Sequence, residues 1–359
     1  MRDLAPMARF GGLVASDLRD VTADLSALDS AGFWAVAADF EGRTVCARFG
    51  DVRPDPARSA PRVRPWRGPD PTAWTSSLDR AAYVAGVRAI RERIATGEVY
   101  QVNLCRVLTA PLPEAESRGE YGGPDIDALS AVLARGNPAP YAGTIRLPAH
   151  GVEIATASPE LFLRRDGATV ESGPIKGTAR TADELLPKDH AENVMIVDLV
   201  RNDLGQVCAT GSVTVPALCA IEPHPGLVHL VSTVRGELRP DAGWPELFAA
   251  AFPPGSVTGA PKSSALRVLD ELETAARGPY CGGIGWVDAD RRTGELAVGI
   301  RTFWIDRTGP GAPLLRFGTG AGITWGSDPE GEWAETELKA ARLLAVASGV
   351  QETSGGMLR

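Results

Sequence analysis

Between residues 141 and 324 the chain is cut into short apolar runs, most of them separated by tight polar turns. A parallel crossover needs roughly twelve or more residues, so these connections favour antiparallel pairing. The runs 141–147, 152–157, 161–165, 230–234, 282–287, 296–305 and 314–324 read as strands, as do 33–40 and 43–49 on either side of a Glu41-Gly42 turn. The fold class this predicts is α+β, with large, mostly antiparallel sheets and helices packed outside, not a doubly wound parallel sheet.

Three stretches carry helical periodicity. Val84, Val87, Ile90 and Ile94 recur at three and four residues, Gly97 sits where a helix would stop, and a strand follows over 100–109. The second helix is expected over 183–207, with Val194, Val197, Val200 and Leu204 on one stripe and Gly205 near its end. The third opens at Ser327, whose Ser-x-x-Glu pattern with Glu330 reads as a capping box, and runs to about residue 349. Pro and Arg recur over 51–71, which reads as a linker, and 111–124 reads as a loop insertion. This organisation divides the chain into an N-terminal region, 1–75, a core, 76–350, and a tail, 351–359.

Charge and cysteine usage narrow the function. With 37 basic against 45 acidic residues the formal net charge is −8, which disfavours nucleic acid and membrane surfaces as partners while leaving room for a small anion in a local basic pocket. The five cysteines, Cys46, Cys105, Cys208, Cys219 and Cys281, are odd in number and form no Cys-x-x-Cys pair, so neither a disulfide framework nor a zinc site is expected. No run is long and apolar enough for a signal sequence or a membrane span, and a soluble, cytoplasmic protein is expected.

Chemistry is concentrated in a few strings. Ser172-Gly-Pro-Ile-Lys-Gly-Thr178 sets Lys176 among Gly, Pro and Thr between a strand and a loop. It is either a surface lysine in a turn or a nucleophile whose ammonium has been pushed below its usual pKa of about 10.4. Asp189 and Glu192 are three apart on one predicted helix, and Glu332 and Glu335 are three apart on another. Each pair is either a solvated face or half of a Mg²⁺ site, because that ion takes a few carboxylates and keeps positions for substrate oxygens and water. Phe252-Pro-Pro-Gly-Ser-Val-Thr-Gly-Ala-Pro-Lys262 and Gly318-Thr-Gly-Ala-Gly322 offer backbone amides to an anion, although the second could be a tight strand turn and Lys262 a surface charge at a helix start. Neither matches a Walker loop.

Taken in order, Tyr100-Gln-Val-Asn-Leu104, Ser158-Pro-Glu160, Pro174-Ile-Lys-Gly-Thr178, Ala191-Glu-Asn-Val-Met-Ile-Val-Asp-Leu199 with Arg201-Asn-Asp203, the 252–262 string, Ile300-Arg-Thr302, Gly320-Ala-Gly322 and Glu332-x-x-Glu335 resemble the chorismate-utilising enzymes over about residues 78–346. That family holds the first components of anthranilate and aminodeoxychorismate synthases, together with isochorismate and salicylate synthases. The resemblance implies two large sheets packed face to face around a chorismate cleft. It implies Glu192 and Glu335 as principal Mg²⁺ ligands with Asp189 and Glu332 nearby. Arg301 and Tyr280 would clamp the enolpyruvyl carboxylate, helped by amides at Gly320 and Gly322, and Thr178, Gln101 and Lys339 would join the substrate contacts. Glu160 would be the general acid for the departing C4 hydroxyl and needs a raised pKa. His229 would lie near that leaving group, and its alternative reading is a hydrogen-bonded core histidine.

Two positions divide the family. Gln101 stands where the water-using members carry a lysine base, and Lys176 stands where anthranilate synthases read alanine, as in aminodeoxychorismate synthases. The implied reaction is amination of chorismate at C4 with ammonia through a Lys176 adduct at C2, giving 4-amino-4-deoxychorismate for para-aminobenzoate formation. No Gly-x-Cys-x-Gly elbow is present, so a glutamine amidotransferase subunit is the expected ammonia source. The N-terminal region is expected to be abbreviated, which makes a tryptophan site doubtful, and 178–181 departs from the usual Thr-Arg-Pro-Arg. The rivals are ortho amination, as in anthranilate synthase, and an inactive binding subunit.

Overall fold

The computed structural model describes residues 4–55, 65–114, 123–224 and 227–349. Four strands come first: β1 (Met7–Phe10), β2 (Leu13–Thr22), β3 (Phe33–Ala38) and β4 (Thr44–Pro54). After β5 (Thr75–Ser76), helix α1 (Arg80–Ala95) leads into β6 (Gln101–Pro111), and α2 (Ile126–Gly136) into the hairpin of β7 (Tyr141–Leu147) and β8 (Val152–Ser158). Next are β9 (Leu161–Asp166), β10 (Thr169–Gly173), β11 (Ile175–Ala179), helix α3 (Pro187–Gly205), β12 (Thr214–His224) and β13 (Leu227–Glu237). Helices α4 (Trp244–Ala251) and α5 (Lys262–Leu272) flank β14 (Gly259–Ala260). The chain closes with β15 (Gly283–Asp288), β16 (Thr293–Val298), β17 (Thr302–Asp306), β18 (Leu314–Ile323) and α6 (Pro329–Ala347).

Every pairing among these strands is antiparallel, as the short connections require. The ladder runs β12, β13, β10, β9, β16, β15, β3, β4, β2, and then β1, β7, β8, β17, β18, β6, β14. The β1–β2 hairpin therefore joins two large sheet halves edge to edge. Residues of both, among them Val36, Leu163, Ile284 and Leu296 from one and Ile145, Ile154 and Val107 from the other, share the largest core cluster. The N-terminal strands are interior to this ladder, since β1 pairs with β7 and β3 with β15. Two smaller clusters lie beneath α2 and α6 and beneath α1 and α5.

The helices depart from expectation in register. The second begins at Pro187, not 183, because proline at the first helical position holds Leu186 extended, and a short 3₁₀ turn, Ala182–Glu184, precedes it. Its buried stripe is Asn193, Ile196, Val197, Val200 and Leu204, so Val194 falls one position off the stripe and is exposed. Helix α6 is capped by Asp328, whose Oδ2 accepts the Gly331 N–H at 2.7 Å, and not by Ser327, whose Oγ accepts the Thr324 N–H at 3.1 Å. Asp328→Ala should therefore cost about 1 kcal/mol of stability. A fall in the thermal midpoint checks this, and an unchanged midpoint would return the cap to Ser327.

The 296–305 run is two strands. It breaks at Gly299–Arg301, where the chain leaves β16 in one half of the ladder and enters β17 in the other, and Arg301 takes a left-handed φ of 52°. The Gly318–Gly322 string is not a turn but lies within β18. The expected linker is in part regular strand, since β4 continues to Pro54 opposite Leu13. Beyond it, Trp66 Nε1 donates to the Ala347 carbonyl at 2.6 Å and Trp74 Nε1 to Ser348 Oγ at 3.1 Å, which returns the chain to the end of α6. Most of the 111–124 insertion and the 351–359 tail lie outside the described residues.

Candidate active site

Lys176 belongs to β11, whose pairing with β13 slips between Ile175 and Thr178. Gly177 makes the slip possible. Its φ is +88°, and a Cβ there would lie 2.8 Å from Asp189 Cβ, so only glycine lets the bulged strand approach the start of α3. Lys176 Nζ donates to the Ser256 carbonyl at 3.0 Å. Loss of hydration pushes the ammonium below its ordinary pKa, against the pull of Glu192 and Glu160, while the Lys339 charge adds to the depression.

Glu160 sits in the connection from β8 to β9 and is buried. Burial pushes its carboxyl up to about 6, although the Ser256 hydroxyl, the Lys176 charge and the Ile175 N–H all favour the anion. Its own N–H donates to Ser158 Oγ at 3.2 Å, and that hydroxyl donates to the Val298 carbonyl at 2.7 Å. A small cavity of about 20 Å³, enough for one water, adjoins Glu160 and Ser256 and is walled mostly by apolar side chains.

The two carboxylate pairs come to the same region from α3 and α6. Glu192 is raised by burial, and it feels both Lys176 and, across the gap, Glu335. Burial would also raise Glu335, but Lys339, whose Nζ is 2.6 Å from its Oε1, outweighs that and lowers it. Glu332 is raised by burial against a hydrogen bond from Ser327. Asp189 has a structural engagement, since its Oδ2 accepts the Leu186 N–H at 2.8 Å and closes the first turn of α3. Lys188 acts on Glu192, Glu332 and Glu335 alike. Among the described residues no three acidic, His or Cys side chains are grouped so as to hold a metal by themselves. Glu192 and Glu335 still suit Mg²⁺, which is commonly bound through one or two carboxylates with water and substrate oxygens completing the octahedron.

Opposite β11, His229 on β13 is buried, and its Nδ1 is 2.8 Å from Thr178 Oγ1, so both readings of the histidine keep a physical basis. Gln101 at the start of β6 is buried with its Oε1 lacking any hydrogen-bond partner among the described residues. A Cβ on Gly322 would fall 2.3 Å from Gln101 Nε2 and 3.5 Å from Lys176 Nζ, so that glycine forms the floor under both. Lys339 Nζ donates to the Gly320 carbonyl at 3.1 Å. The Arg301 guanidinium is lowered by burial and has neither an ion pair nor a side-chain hydrogen bond among the described residues. A partly buried arginine with no such partner among the described residues can receive an anion through its fork of N–H donors. Tyr280 is buried with its ring on Gly318, and its hydroxyl takes a long contact, 3.9 Å, from Cys105 Sγ.

Two contributors were not anticipated. Ser256 lies inside the glycine-rich string, and part of its role is played by a backbone carbonyl that every residue possesses. Lys262, read as a possible surface charge, opens α5 in a partly buried ion pair with Asp203 at 2.9 Å and also donates to the Ala251 carbonyl at 3.2 Å, tying that string to α3.

The family described as chorismate binding enzyme matches residues 31–345. Anthranilate synthase component 1 1 of Haloarcula marismortui is 35% identical over 330 residues, covering 85% of this chain and 63% of that protein. Aminodeoxychorismate synthase component 1 of Salmonella typhimurium is 36% identical over 285 residues, covering 76% and 59%. The chain thus spans about three fifths of the length of these relatives. Among solved structures, the menaquinone-specific isochorismate synthase MenF of Escherichia coli superposes with a TM-score of 0.76 at 18% identity over 96% of this chain and 89% of that one, a likeness of fold. No described helix is long and apolar enough to cross a membrane.

Proposed function

This chain belongs to the chorismate binding enzymes, and we propose that it aminates chorismate at C4 with ammonia to give 4-amino-4-deoxychorismate. The observation that carries the reading is the pairing of Lys176, depressed by burial, with Glu160, raised to about 6 by burial, across the single residue Ser256. A lysine short of hydration gives up its proton more readily to become a free amine, and a carboxyl that keeps its proton to higher pH can supply the proton that a hydroxyl needs in order to leave.

In the proposed sequence the Lys176 amine attacks ring C2, the ring double bonds shift, and the C4 oxygen departs as water with the Glu160 proton. Ammonia then adds at C4 and the bond from C2 to Lys176 breaks, returning the amine. The Glu160 carboxylate takes the proton that the incoming nitrogen sheds, so the acid is restored within one turnover. Arg301, without a side-chain partner among the described residues, would receive the enolpyruvyl carboxylate as a two-pronged donor. Glu192 and Glu335 would hold Mg²⁺, which when bound neutralises and orients the ring carboxylate. Gln101 carries no titratable nitrogen, so it offers no base to activate water. A glutamine amidotransferase subunit is the proposed physiological source of ammonia, and para-aminobenzoate, made by a separate lyase, the eventual product.

Ortho amination is the second reading, favoured by the relatives of that name. One assay separates the two. Incubation with chorismate, Mg²⁺ and concentrated ammonium salt, followed by chromatography and mass spectrometry, should yield a product that becomes para-aminobenzoate only when lyase is added. Anthranilate would favour the second reading, isochorismate would overturn the reading of Gln101, and untouched chorismate would leave a binding role.

A further inference from the structure

Ser256 stands where the two catalytic side chains meet, in the short 3₁₀ turn Gly255–Val257 between α4 and β14. It is itself buried. Its carbonyl accepts from Lys176 Nζ at 3.0 Å, and it lines the same small cavity as Glu160, with its hydroxyl facing the carboxyl. The turn is held from both sides. Thr258 Oγ1 donates to the Pro254 carbonyl at 2.7 Å, and the fully buried Arg277 donates to the neighbouring Val257 carbonyl at 2.9 Å. Arg277 also spans the Asn103 carbonyl at 2.7 Å and both Glu273 oxygens. A residue locked this firmly does not follow the side chains it touches; they follow it.

We propose that Ser256 is a positioning residue that couples nucleophile to acid, its carbonyl fixing the Lys176 nitrogen and its hydroxyl setting how readily Glu160 releases its proton. The proposal rests on the amination reading given above. The hydroxyl, facing the carboxyl across the cavity both residues line, favours the anion and so opposes the burial that holds the proton. The groups facing Glu160 are Lys176 and the Ile175 N–H from β11 and the Ser256 hydroxyl from the turn, while Asp203 of α3, ion-paired with Lys262 at 2.9 Å, lines the same cavity.

Substituting Ser256→Ala removes the hydroxyl and leaves the carbonyl on Lys176, so it isolates one half of the device. The expected result is retained product formation, with the limb of the kcat/KM profile that reports Glu160 moved to higher pH by about one unit. Ser256→Thr, which restores a hydroxyl, should return the limb toward its original position. A purely structural role would lower activity at every pH without moving the limb. An S256A profile that superimposes on the unsubstituted one, or that falls evenly, overturns the coupling while leaving the amination reading intact. Failure of the unsubstituted chain to aminate chorismate at any pH overturns both.

Discussion

Replacing Lys176 with alanine is expected to lower product formation by at least about a hundredfold while changing the affinity for chorismate no more than a few-fold, on the order of what nucleophile removal does elsewhere. Among the described residues, neither other lysine near the carboxylates is placed like Lys176. Lys339 is held by Glu335 and the Gly320 carbonyl, and Lys188 is exposed at the opening turn of α3. Binding should largely survive because Arg301 and the backbone of β18 do not depend on Lys176. The small loss expected comes from removing one cation from the pocket proposed to receive the dianion. Steady-state product formation with ammonium, alongside calorimetric titration of chorismate into the variant, separates the two effects. Activity within tenfold of the unsubstituted chain would sink the covalent step, and a collapse of binding would make Lys176 a substrate anchor instead.

Much of this architecture is legible in the sequence because the relevant signals are local. Antiparallel strands announce themselves by short apolar runs with turn residues between them, and α1 by its stripe and its glycine stop. Local signals fail where tertiary contacts decide. Val194 is as apolar as Val197, and only the sheet beneath α3 selects between the two registers. The run from Leu296 to Ile305 has no breaker beyond one glycine, yet it splits because the chain must pass from one sheet half to the other, at the cost of a left-handed Arg301. Ser327 and Asp328 are both acceptable caps, and the choice depends on where Pro329 starts the turn.

The site divides in the same way. Lys176, Glu160, Glu192 and Glu335 are recognisable from ordered strings, and the structure brings their charges within mutual influence. What organises them leaves no mark in the sequence. Ser256 acts in part through a carbonyl, and Arg277 looks like any surface arginine until it is found wholly buried on Glu273 and two carbonyls. Glu41, from a turn that reads as no more than a turn, accepts the N–H groups of Arg277 and Gly278 at 2.7 and 3.1 Å, 236 and 237 residues away along the chain. The N-terminal hairpin thereby supports the same loop that carries Tyr280. Contacts of that range are set by the strand pairings of the ladder, not by any motif.

Glu160→Gln should lower product formation by between about a hundredfold and ten-thousandfold, the range typical of a missing general acid. Glutamine keeps the volume and can still accept from Ser256, so the loss isolates the proton. The pH dependence gives the sharper result. Burial moves Lys176 down and Glu160 up, and both shifts favour the uncharged pair, a free amine beside a protonated acid. The unsubstituted profile should therefore be bell-shaped. Rates rise as Lys176 loses its proton, and they fall as Glu160 loses its own. Because glutamine does not titrate, the variant should lose the falling limb and keep the rising one. Glu160 attracts the Lys176 charge and so raises that pKa, hence removing the carboxylate should also move the rising limb to lower pH. A falling limb that persists unchanged in the glutamine variant would mean that another group donates the proton, with Glu332, also raised by burial, the next residue to substitute.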